Sequence, residues 1–495
     1  MNNDGYKYGR YVDLNQESRW ATIDEIKNAG TYIDLSMSDY PTAGLPLISD
    51  GKEAYVDGKD THTLIFGSTG SKKTRLFCMP LVNLFTKAGE SFIVTDPKGE
   101  IFEKTSGLVK AKGYNTIVLN FRDIGKGDMW NPLALPYLLY HSKDKELGVS
   151  MLNDFVTCIS DPQRKNTVDA FWPEMAASFA LANLLLLMEV AKPNEANVAS
   201  LAFLCNLENE NLLKELADKM RPDTIAGMNY KGIFTGAERT KQSIYVSLFA
   251  MVRMFNTQKS LTKMLSGNTI DLAKIGREKT AVYLIIPDEK TTYHYLVTTF
   301  IKQAYQVLIT EAQKQSNNQL PIRVNFVLDE FCNLPTISDM PAMISAARSR
   351  NIRYYLVAQS MHQLRGKYGE DADTIKGNCD NWVFLTSKEL TLLNEVSELC
   401  GNITLHGNRK RRLISVSELQ RLSKEKGEAL IMHSRQYPII TEIADIDSYE
   451  AFKGYPSQEQ KTFTSDPPAL FDLKSFAFSC FRGKTKYPFS SPEDV

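Results

Sequence analysis

Little in the sequence points to an exported or membrane-spanning protein. The 495 residues include only seven cysteines and no Cys-x-x-Cys pair, which argues against a disulfide framework and predicts buried, reduced thiols in a cytosolic protein. The polar amino terminus shows no signal-peptide pattern. The most apolar stretch, Met175–Ala191, is interrupted by Asn183 and falls short of the roughly 20 residues that a spanning helix needs. We therefore expect a buried core helix there and a chain that is soluble as given.

The chain also lacks an excess of charge of either sign, since 58 lysines and arginines balance 58 aspartates and glutamates. The net charge therefore gives no indication of binding to nucleic acid or to a membrane surface, and DNA would have to bind to a local basic patch. The length favours two domains or three, and no internal repeat is visible.

Apolar strand patterns alternate with helical patterns in two parts of the chain, which predicts an α/β fold with a parallel sheet covered on both faces. Helices are predicted at 75–89 and 101–113. The predicted strands are 62–67, 91–96, 115–121, 280–287, 323–330, 353–360 and 381–387.

Long helical patterns between the two parts predict an all-α domain inserted between strands. A serine-, proline- and charge-rich tail closes the chain, although its segment LFDLKSFAFSCF could dock on the rest. The predicted organisation is an N-terminal segment (1–60), the first part of a nucleotide-binding domain (61–133), the all-α domain (134–266), the second part of the nucleotide-binding domain (267–455) and the C-terminal tail (456–495).

The stretch TLIFGSTGSKKTR, residues 63–75, joins an apolar strand to a helix through a loop with two glycines. The backbone N–H groups of such a loop form a concave anion site together with the helix N-terminus. In the pattern G-x-x-x-x-G-K-[ST], the lysine reaches the β- and γ-phosphates and the hydroxyl holds Mg²⁺. Three residues fit that pattern, so ATP and Mg²⁺ are the expected cofactors. The predicted nucleotide-binding residues are Gly67, Ser68, Thr69, Gly70, Ser71, Lys72, Lys73, Thr74 and Arg75.

Lys72 occupies the sixth position of this loop, where the pattern has glycine. We expect its side chain to crowd the phosphates or to strain the turn, although it also adds positive charge where the phosphates would lie. A plain glycine-rich turn between a strand and a helix is the alternative to a nucleotide site.

Two more strands end in residues that suit nucleotide hydrolysis. VNFVLDE ends in Asp329, placed to order the shell of Mg²⁺, and Glu330, placed to polarise an attacking water. YYLVAQS carries Gln359, whose carboxamide is placed to sense the γ-phosphate and orient that water. Each motif alone also fits an ordinary strand end. Together with the loop they predict Lys73, Asp329, Glu330 and Gln359 as catalytic residues, with Thr74 and Asp329 on the metal.

Three arginines, Arg348, Arg350 and Arg353, lie between a predicted helix and the strand that carries the glutamine. They are either a solvated helix end favoured by the macrodipole or an arginine finger that completes the active site of a neighbouring subunit.

Seven blocks resemble one family in sequence and in order. It comprises the coupling proteins of type IV secretion systems, the TraG/TraD-like conjugative DNA-transfer ATPases, and the resemblance is to their cytosolic part, with the Gram-positive branch nearest. It extends from about Ser18 to Phe452. The blocks are SRWATIDEIKNAG, VTDPKGEIFEKTSG, VLNFRDIGKGDMWNPL, DAFWPEMAAS, YLIIPDEKTTYHYL, LDEFCNLPTISDMPAMISAARSRNI and LVAQSMHQLRGKYGEDADTIKGNCD.

The resemblance implies a RecA-like P-loop domain interrupted by an all-α domain, and assembly as a homo-hexamer. It implies an ATP-dependent protein that recruits the relaxase complex with single- or double-stranded DNA. The protein would drive or gate transfer of this substrate into the secretion channel, at the cytoplasmic face of the cell membrane. The usual membrane helices are missing, so we expect that an anchor was removed or that a partner recruits the chain.

Carried onto this sequence, the resemblance makes Asp329 the metal-ordering acid and Glu330 the catalytic base. Arg348 becomes the arginine that acts across the subunit boundary, with Arg350 as its reserve. Asp96 and Lys98 of TDPKGE are expected to support the site from a neighbouring strand end.

Translocation along DNA needs phosphate contacts that are blind to sequence. Arg365 and Lys367 are predicted to lie in a loop after the glutamine strand, where ring ATPases often project pore loops. The basic run GNRKRRL is a second candidate, with a solvated turn as its alternative. Its DNA-facing residues would be Arg409, Lys410, Arg411 and Arg412.

The departure at Lys72 leaves two functions open, an ATP-driven DNA motor and a hydrolysis-deficient receptor that binds nucleotide and docks the relaxosome. A small-molecule kinase is a third class, and Glu330 and Gln359 argue against it because they suit water as the nucleophile.

Overall fold

The computed structural model describes residues 18–165, 169–405, 409–463 and 466–490. It divides into two compact units. The first comprises the described residues up to Arg122, Asp271–His294 and Ala304–Glu459, and the second comprises Asp123–Ile270, Tyr295–Gln303 and the described residues from Gln460 onward.

The strands, in chain order, are β1 (Thr31–Asp34), β2 (Leu45–Ser49), β3 (Glu53–Asp57), β4 (Thr63–Phe66), β5 (Ser91–Asp96), β6 (Asn115–Asn120), β7 (Thr280–Ile285), β8 (Val324–Leu328), β9 (Ile352–Ala358), β10 (Asn381–Phe384), β11 (Asn402–Leu405), β12 (Arg409–Arg412), β13 (Glu428–His433) and β14 (Ile439–Glu442).

The α-helices are α1 (Ile23–Ala29), α2 (Met79–Ala88), α3 (Glu100–Ala111), α4 (Ala134–Tyr140), α5 (Lys145–Lys165), α6 (Phe171–Val190), α7 (Val198–Leu204), α8 (Glu210–Ala217), α9 (Ile225–Phe234), α10 (Glu238–Thr257), α11 (Lys259–Met264), α12 (Lys274–Arg277), α13 (His294–Gln313), α14 (Met340–Ala347), α15 (Met361–Tyr368), α16 (Asp371–Asn378), α17 (Leu390–Leu399), α18 (Val416–Leu419) and α19 (Leu473–Phe481).

A nine-stranded sheet forms the centre of the first unit, in the order β14-β13-β10-β4-β9-β8-β5-β7-β6. The seven strands from β10 to β6 run parallel, and β13 and β14 add an antiparallel edge. The parallel strands are buried along almost their whole length because they carry apolar residues on both faces. The predicted α/β fold with a mostly parallel sheet is confirmed.

A small antiparallel sheet, in the order β1-β3-β2, precedes the central sheet. Nothing in the polar, turn-rich first 60 residues predicted these strands, which have four or five residues each. They persist because β2 is buried along its whole length and shares a core cluster with the helix after β4.

The helix that follows β4 begins with a π-helical turn at Thr74–Cys78 and continues as α2. Pro80 lies in its second turn and has no N–H to donate four residues back, so the regular α-helical pattern cannot form there. The N–H of Met79 instead reaches the carbonyl of Thr74, five residues earlier. The widened turn lies at the exit of the glycine loop.

Helices make up most of the second unit. Among the described residues, only α6 is long and apolar enough to cross a membrane by length and composition, and 67% of its most apolar stretch is buried inside the structure. Asn183, which interrupts this stretch in the sequence, is buried, and its Oδ1 accepts a hydrogen bond of 2.8 Å from the Tyr230 hydroxyl. Its polar group is therefore satisfied within the helical core.

Candidate active site

Three neighbouring strands bring the predicted site residues to one edge of the sheet. β9 lies between β4 and β8, and all three run parallel. The loop after Phe66, the acidic pair after Leu328 and the glutamine after Ala358 therefore emerge at the same carboxyl edge, which is where ligands bind in open α/β sheets.

The loop after β4 is shaped by two glycines. A Cβ at Gly67 would lie 2.4 Å from Ser71 Oγ and 3.0 Å from Lys73 Cγ, so any larger residue would displace the Ser71 hydroxyl and crowd Lys73. Gly70 has φ +77°, the left-handed region that glycine favours. The N–H of Ser68 donates to the carbonyl of Thr386 at 3.0 Å, which holds the loop to the segment after β10.

Lys73 extends from the loop toward the acidic pair. Its Nζ donates to the carbonyl of Gly67 at 2.6 Å and lies 3.9 Å from Glu330 Oε1. The side chain is buried, so its charge acts in a poorly solvated place where it attracts anions more strongly than at the surface.

Asp329 and Thr74 meet directly, because Thr74 Oγ1 donates to Asp329 Oδ2 at 2.7 Å. Burial raises the pKa of Asp329 to about 6, while the hydrogen bond from Thr74 opposes this shift. The carboxylate is therefore mostly ionised at neutral pH. A hydroxyl and a buried carboxylate at this separation are oxygen ligands of the kind that Mg²⁺ prefers.

Glu330 and Gln359 form a second pair beside the first. Glu330 has a left-handed backbone, with φ 52°, which turns the chain sharply after β8. Its Oε2 accepts hydrogen bonds from Gln359 Nε2 at 2.8 Å and from Asn333 Nδ2 at 3.3 Å. Gln359 Oε1 accepts in turn from Thr69 Oγ1 at 3.3 Å. The glutamine thus links the tip of the loop to the glutamate.

A small hollow of about 10 Å³ lies beside the acidic pair. Asp329, Glu330, Asn333 and His294 are among its lining residues, and its volume is about the minimum that holds one water molecule. His294 receives its orientation from the carbonyls of Asn333 and Pro287, at 3.0 and 2.9 Å.

Lys72 has φ 66°, so a lysine occupies the left-handed conformation that explains the glycine of the pattern. Such a conformation costs about 1–2 kcal/mol for a residue with a side chain. Its Nζ lies 3.5 Å from Asp445 Oδ2. Arg75 binds the same carboxylate, with Nε at 3.0 Å from Oδ2, and also contacts Asp447. Lys72 and Arg75 therefore pair with carboxylates in the segment after β14. Their contact with nucleotide stays a prediction.

Asp96 and Lys98 differ in their placement at the end of β5. Asp96 is fully buried and accepts hydrogen bonds of 2.8 Å from the N–H groups of Gly99 and Phe102, so it caps the start of α3. Burial raises the pKa of Asp96 to about 6. Lys98 is exposed. The support that Asp96 gives is therefore to the loop after β5.

The three arginines singled out in the sequence occupy two different environments in the structure. Arg348 and Arg350 form a short 3-10 turn before β9, at the opposite end of that strand from Gln359. Arg348 Nη1 pairs with Asp380 at 2.9 Å, with 44% of the arginine side chain exposed.

Arg353 lies within β9 and is wholly buried. It pairs with Glu90 and donates from Nε to Asn325 Oδ1 at 2.8 Å. The prediction that it shares a solvated cluster with the other two is wrong, because these contacts fix it inside the sheet.

The predicted DNA-facing residues lie on regular elements. Arg365 and Lys367 belong to α15, so the prediction of a loop is wrong, and Arg365 lies 3.6 Å from Asp373. The four basic residues of the second candidate make up β12, which pairs with β11 and is exposed along its length. The alternative of a solvated turn is wrong about the turn, whereas the solvent exposure that it implies is observed. The intervening residues 406–408 lie outside the described residues.

Several residues of the site were missed because nothing in the sequence brings them near the loop. Asn333 donates to Glu330, and His294 contacts the carbonyl of Asn333. Asp445 pairs with Lys72, and Asp447 pairs with Arg75. Lys424 is another, since its Nζ lies 3.7 Å from the position of a Cβ at Gly70. No sequence pattern around Lys424 indicates that its side chain lies near the tip of the phosphate loop.

The described residues hold no group of three histidines, cysteines, aspartates or glutamates that could form a metal centre of their own. All seven cysteines lie in the described ranges; five are buried, as predicted, whereas Cys158 and Cys332 are partly exposed. A divalent cation at this site would therefore take Thr74 and Asp329 together with oxygens from a ligand.

Comparison with known proteins gives a consistent result. Residues 19–431 match the family model described as Type IV secretory system Conjugative DNA transfer. The chain is 22% identical over 505 residues to the conjugal transfer protein TraG of Escherichia coli, which covers 92% of this chain and 77% of that protein. It is 24% identical over 405 residues to the protein VirD4 of Rhizobium radiobacter, covering 78% of this chain and 55% of that protein.

Solved structures with this fold include the bacterial conjugative coupling protein TrwBdeltaN70 in complex with sulphate. It has a TM-score of 0.63 and 13% identity, and the match covers 92% of this chain and 98% of that one. The plasmid coupling protein TrwB in complex with the ATP analogue ADPNP has a TM-score of 0.64 and 12% identity, with the same coverage. The RecA-like fold expected from the sequence is therefore confirmed.

Proposed function

Because the chain belongs to the family of type IV secretory system conjugative DNA transfer proteins, we propose that it is an ATP-driven coupling protein. It recruits a relaxase–DNA complex and drives or gates the transfer of this substrate into a secretion channel. The observation that carries the proposal is the convergence of five side chains at one sheet edge: Thr74 donates to Asp329 at 2.7 Å, Gln359 donates to Glu330 at 2.8 Å, and Lys73 Nζ lies 3.9 Å from Glu330.

The residues present fit a magnesium nucleotide. A Cβ at Gly67 would fill the cradle of the loop, and the buried Ser71 Oγ makes no hydrogen bond with any described residue. The donor set combines a buried ammonium, a hydroxyl and a carboxylate, as phosphoryl chemistry requires. TrwB, which shares the fold, has been solved with ADPNP and with ADP and Mg²⁺, and this supports the same ligands here.

When bound, the magnesium nucleotide supplies the phosphoryl group that is transferred to water. Lys73 would bind the β- and γ-phosphates, and Thr74 and Asp329 would hold the metal. Glu330 would accept a proton from the attacking water at a carboxylate oxygen. Gln359, which contacts both Glu330 and Thr69, would orient that water and register the γ-phosphate.

Arg348 would act in a ring, as the arginine that reaches the site of the next subunit. It lies at the amino end of β9, away from its own Glu330, so it can serve only a site on another copy. We therefore propose a homo-hexamer as the active form, bound at the cytoplasmic face of the membrane through an anchor or a partner.

DNA would be held through its phosphates by Arg365 and Lys367 on α15 and by the exposed basic strand β12. Arg365 follows Gln359 by six residues and lies on α15, which begins at Met361, so movement at Gln359 would pass to this surface through the helix. The strand β12 carries four exposed cations, and because side chains alternate along a strand, two of them lie on each face. We propose that one such pair contacts the phosphates of a nucleic acid backbone.

Steady-state ATP hydrolysis, measured with and without single- and double-stranded DNA, tests the proposal. We expect Mg²⁺-dependent turnover that DNA increases and that Glu330→Gln reduces by about 100-fold or more, while Mg-ATP binding measured by calorimetry is retained. Lys72→Gly gives the loop the glycine that the pattern has at its sixth position, so it shows whether Lys72 limits turnover.

Two outcomes would redirect the proposal. If the unmodified chain shows no turnover and Lys72→Gly restores it, the chain is a nucleotide-binding receptor that docks the relaxosome. If folded protein releases no heat on titration with Mg-ATP, both functions are refuted.

A further inference from the structure

Four consecutive polar residues of the loop point in two directions. Lys73 and Thr74 face the acidic pair, with Lys73 Nζ 3.9 Å from Glu330 and Thr74 Oγ1 2.7 Å from Asp329. Lys72 and Arg75 lie on the other side and converge on Asp445. Residues three apart at the start of a helix share a face, so one carboxylate reaches both flanks of the catalytic pair.

Asp445 is itself firmly held. It begins a short 3-10 helix, where its side chain accepts from the N–H of Asp447 at 3.3 Å. The N–H of Ala444, the residue before it, donates to the carbonyl of Ser49 at 3.1 Å. Its hydrogen bonds with Arg75 and with the Asp447 N–H lower the pKa of Asp445 against the effect of burial, so it is an anion at neutral pH.

Lys72 is the residue of this cluster whose backbone conformation is strained, with φ 66°. Its left-handed backbone places its carbonyl to accept from the N–H of Leu76 at 2.8 Å, the first hydrogen bond of the helix. A glycine would adopt this conformation without strain. The lysine adopts it while its ammonium group lies 3.5 Å from Asp445.

We infer that Asp445 is a positioning residue for the phosphate loop, and that its pairing with Lys72 offsets the strain of a lysine at the glycine position. The carboxylate also draws the ammonium group of Lys72 away from the phosphates, which leaves Lys73 as the cation that meets them. The inference rests on the proposed nucleotide binding, and it explains how the loop accommodates its unusual sixth residue.

Mg-ATP affinity of four proteins tests the inference: the unmodified chain, Asp445→Asn, Lys72→Gly and the double variant. We expect Asp445→Asn to weaken binding about fivefold when residue 72 is lysine. When residue 72 is glycine, the same change should weaken binding less than about twofold. Glu442→Gln, which changes an exposed carboxylate on β14, is the matched control and should leave binding unchanged.

Lys72→Met changes the other residue of the pair and leaves Asp445 unchanged. It retains a side chain at the left-handed position but has no charge, so it should weaken binding as Asp445→Asn does, whereas Lys72→Gly should not. Equal effects of Asp445→Asn in both backgrounds, or equal affinities of Lys72→Met and Lys72→Gly, would overturn the inference.

Thermal unfolding of the same proteins separates the inference from the proposed function. If the unmodified chain does not bind Mg-ATP, the proposed function fails, but the compensation can still be measured. Asp445→Asn should then lower the unfolding midpoint by about 2 °C more with lysine than with glycine at position 72. Equal shifts would overturn the compensation as well.

Discussion

Replacing Thr74 by valine should remove Mg²⁺-dependent nucleotide binding while leaving the loop in place. The change keeps the volume and branching of the side chain but deletes Oγ1, which donates to Asp329 Oδ2 at 2.7 Å. It therefore affects both proposed metal ligands, one by deletion and one by the loss of a hydrogen bond.

The magnitude follows from the environment of Asp329. A hydrogen bond to a charged, buried group contributes about 1.5–3 kcal/mol, which corresponds to roughly one to two pKa units. The pKa of Asp329, already raised to about 6 by burial, should therefore rise to roughly 7–8. At pH 7 the carboxylate would be half protonated or more, and a protonated carboxyl binds Mg²⁺ poorly. Mg-ATP affinity should fall by about tenfold or more.

Calorimetric titration at pH 6, 7 and 8, with and without Mg²⁺, checks this reasoning. The loss should be smaller at pH 8 than at pH 7, and binding of nucleotide without Mg²⁺ should change less than about twofold. Thr74→Ser should restore most of the affinity. Thr235→Val, which removes a hydroxyl that donates to the carbonyl of Lys231 at 2.7 Å in α9, away from the site, is the control. A loss that is independent of pH, or equally large without Mg²⁺, would refute the assignment of these two ligands.

Three further predictions concern the ring and the fold. Arg348→Ala and Glu330→Gln should each abolish hydrolysis, but mixing them should restore part of it, since some interfaces then join an intact arginine to an intact glutamate; no recovery in mixed rings would count against action across subunits. Glu90→Gln should lower the free energy of unfolding by about 3–5 kcal/mol because it leaves Arg353 buried without a counter-ion, which denaturant titration measures against an exposed control, Glu53→Gln. His62, whose pKa burial lowers to about 4, should make stability fall by about 3 kcal/mol as pH drops from 6.5 to 4, and His62→Asn should flatten that fall.

The sequence predicted the central sheet well because its strands are buried on both faces. A run of apolar residues such as TAVYLI can then be recognised without alternation, and the observed strands agree with the predicted ones to within a few residues. The edge strands β13 and β14 and the small sheet β1–β3 were not predicted. Their stability comes from pairing and packing with distant segments, which no local pattern encodes.

The catalytic side of the loop was predictable for a related reason. Lys73, Thr74, Asp329 and Glu330 each follow a strand at a fixed spacing, and parallel strands bring such positions to one edge. Asp445 was not predictable, because its role depends on a left-handed backbone at Lys72 and on a pairing across a long stretch of chain. The arginines show the same limit, since Arg348 and Arg353 look alike in the sequence and only the register of β9 makes one exposed and the other buried.

The position of β4 in the sheet also has a consequence for synthesis on the ribosome. Its two neighbours are β9 and β10, so Thr63 pairs with Tyr355 on one side and with Asn381 on the other. Until those late segments emerge, the strand that carries the loop has no partner and both of its edges stay open. A nascent or truncated chain ending within the inserted helices would expose an unpaired apolar strand, a common start of aggregation.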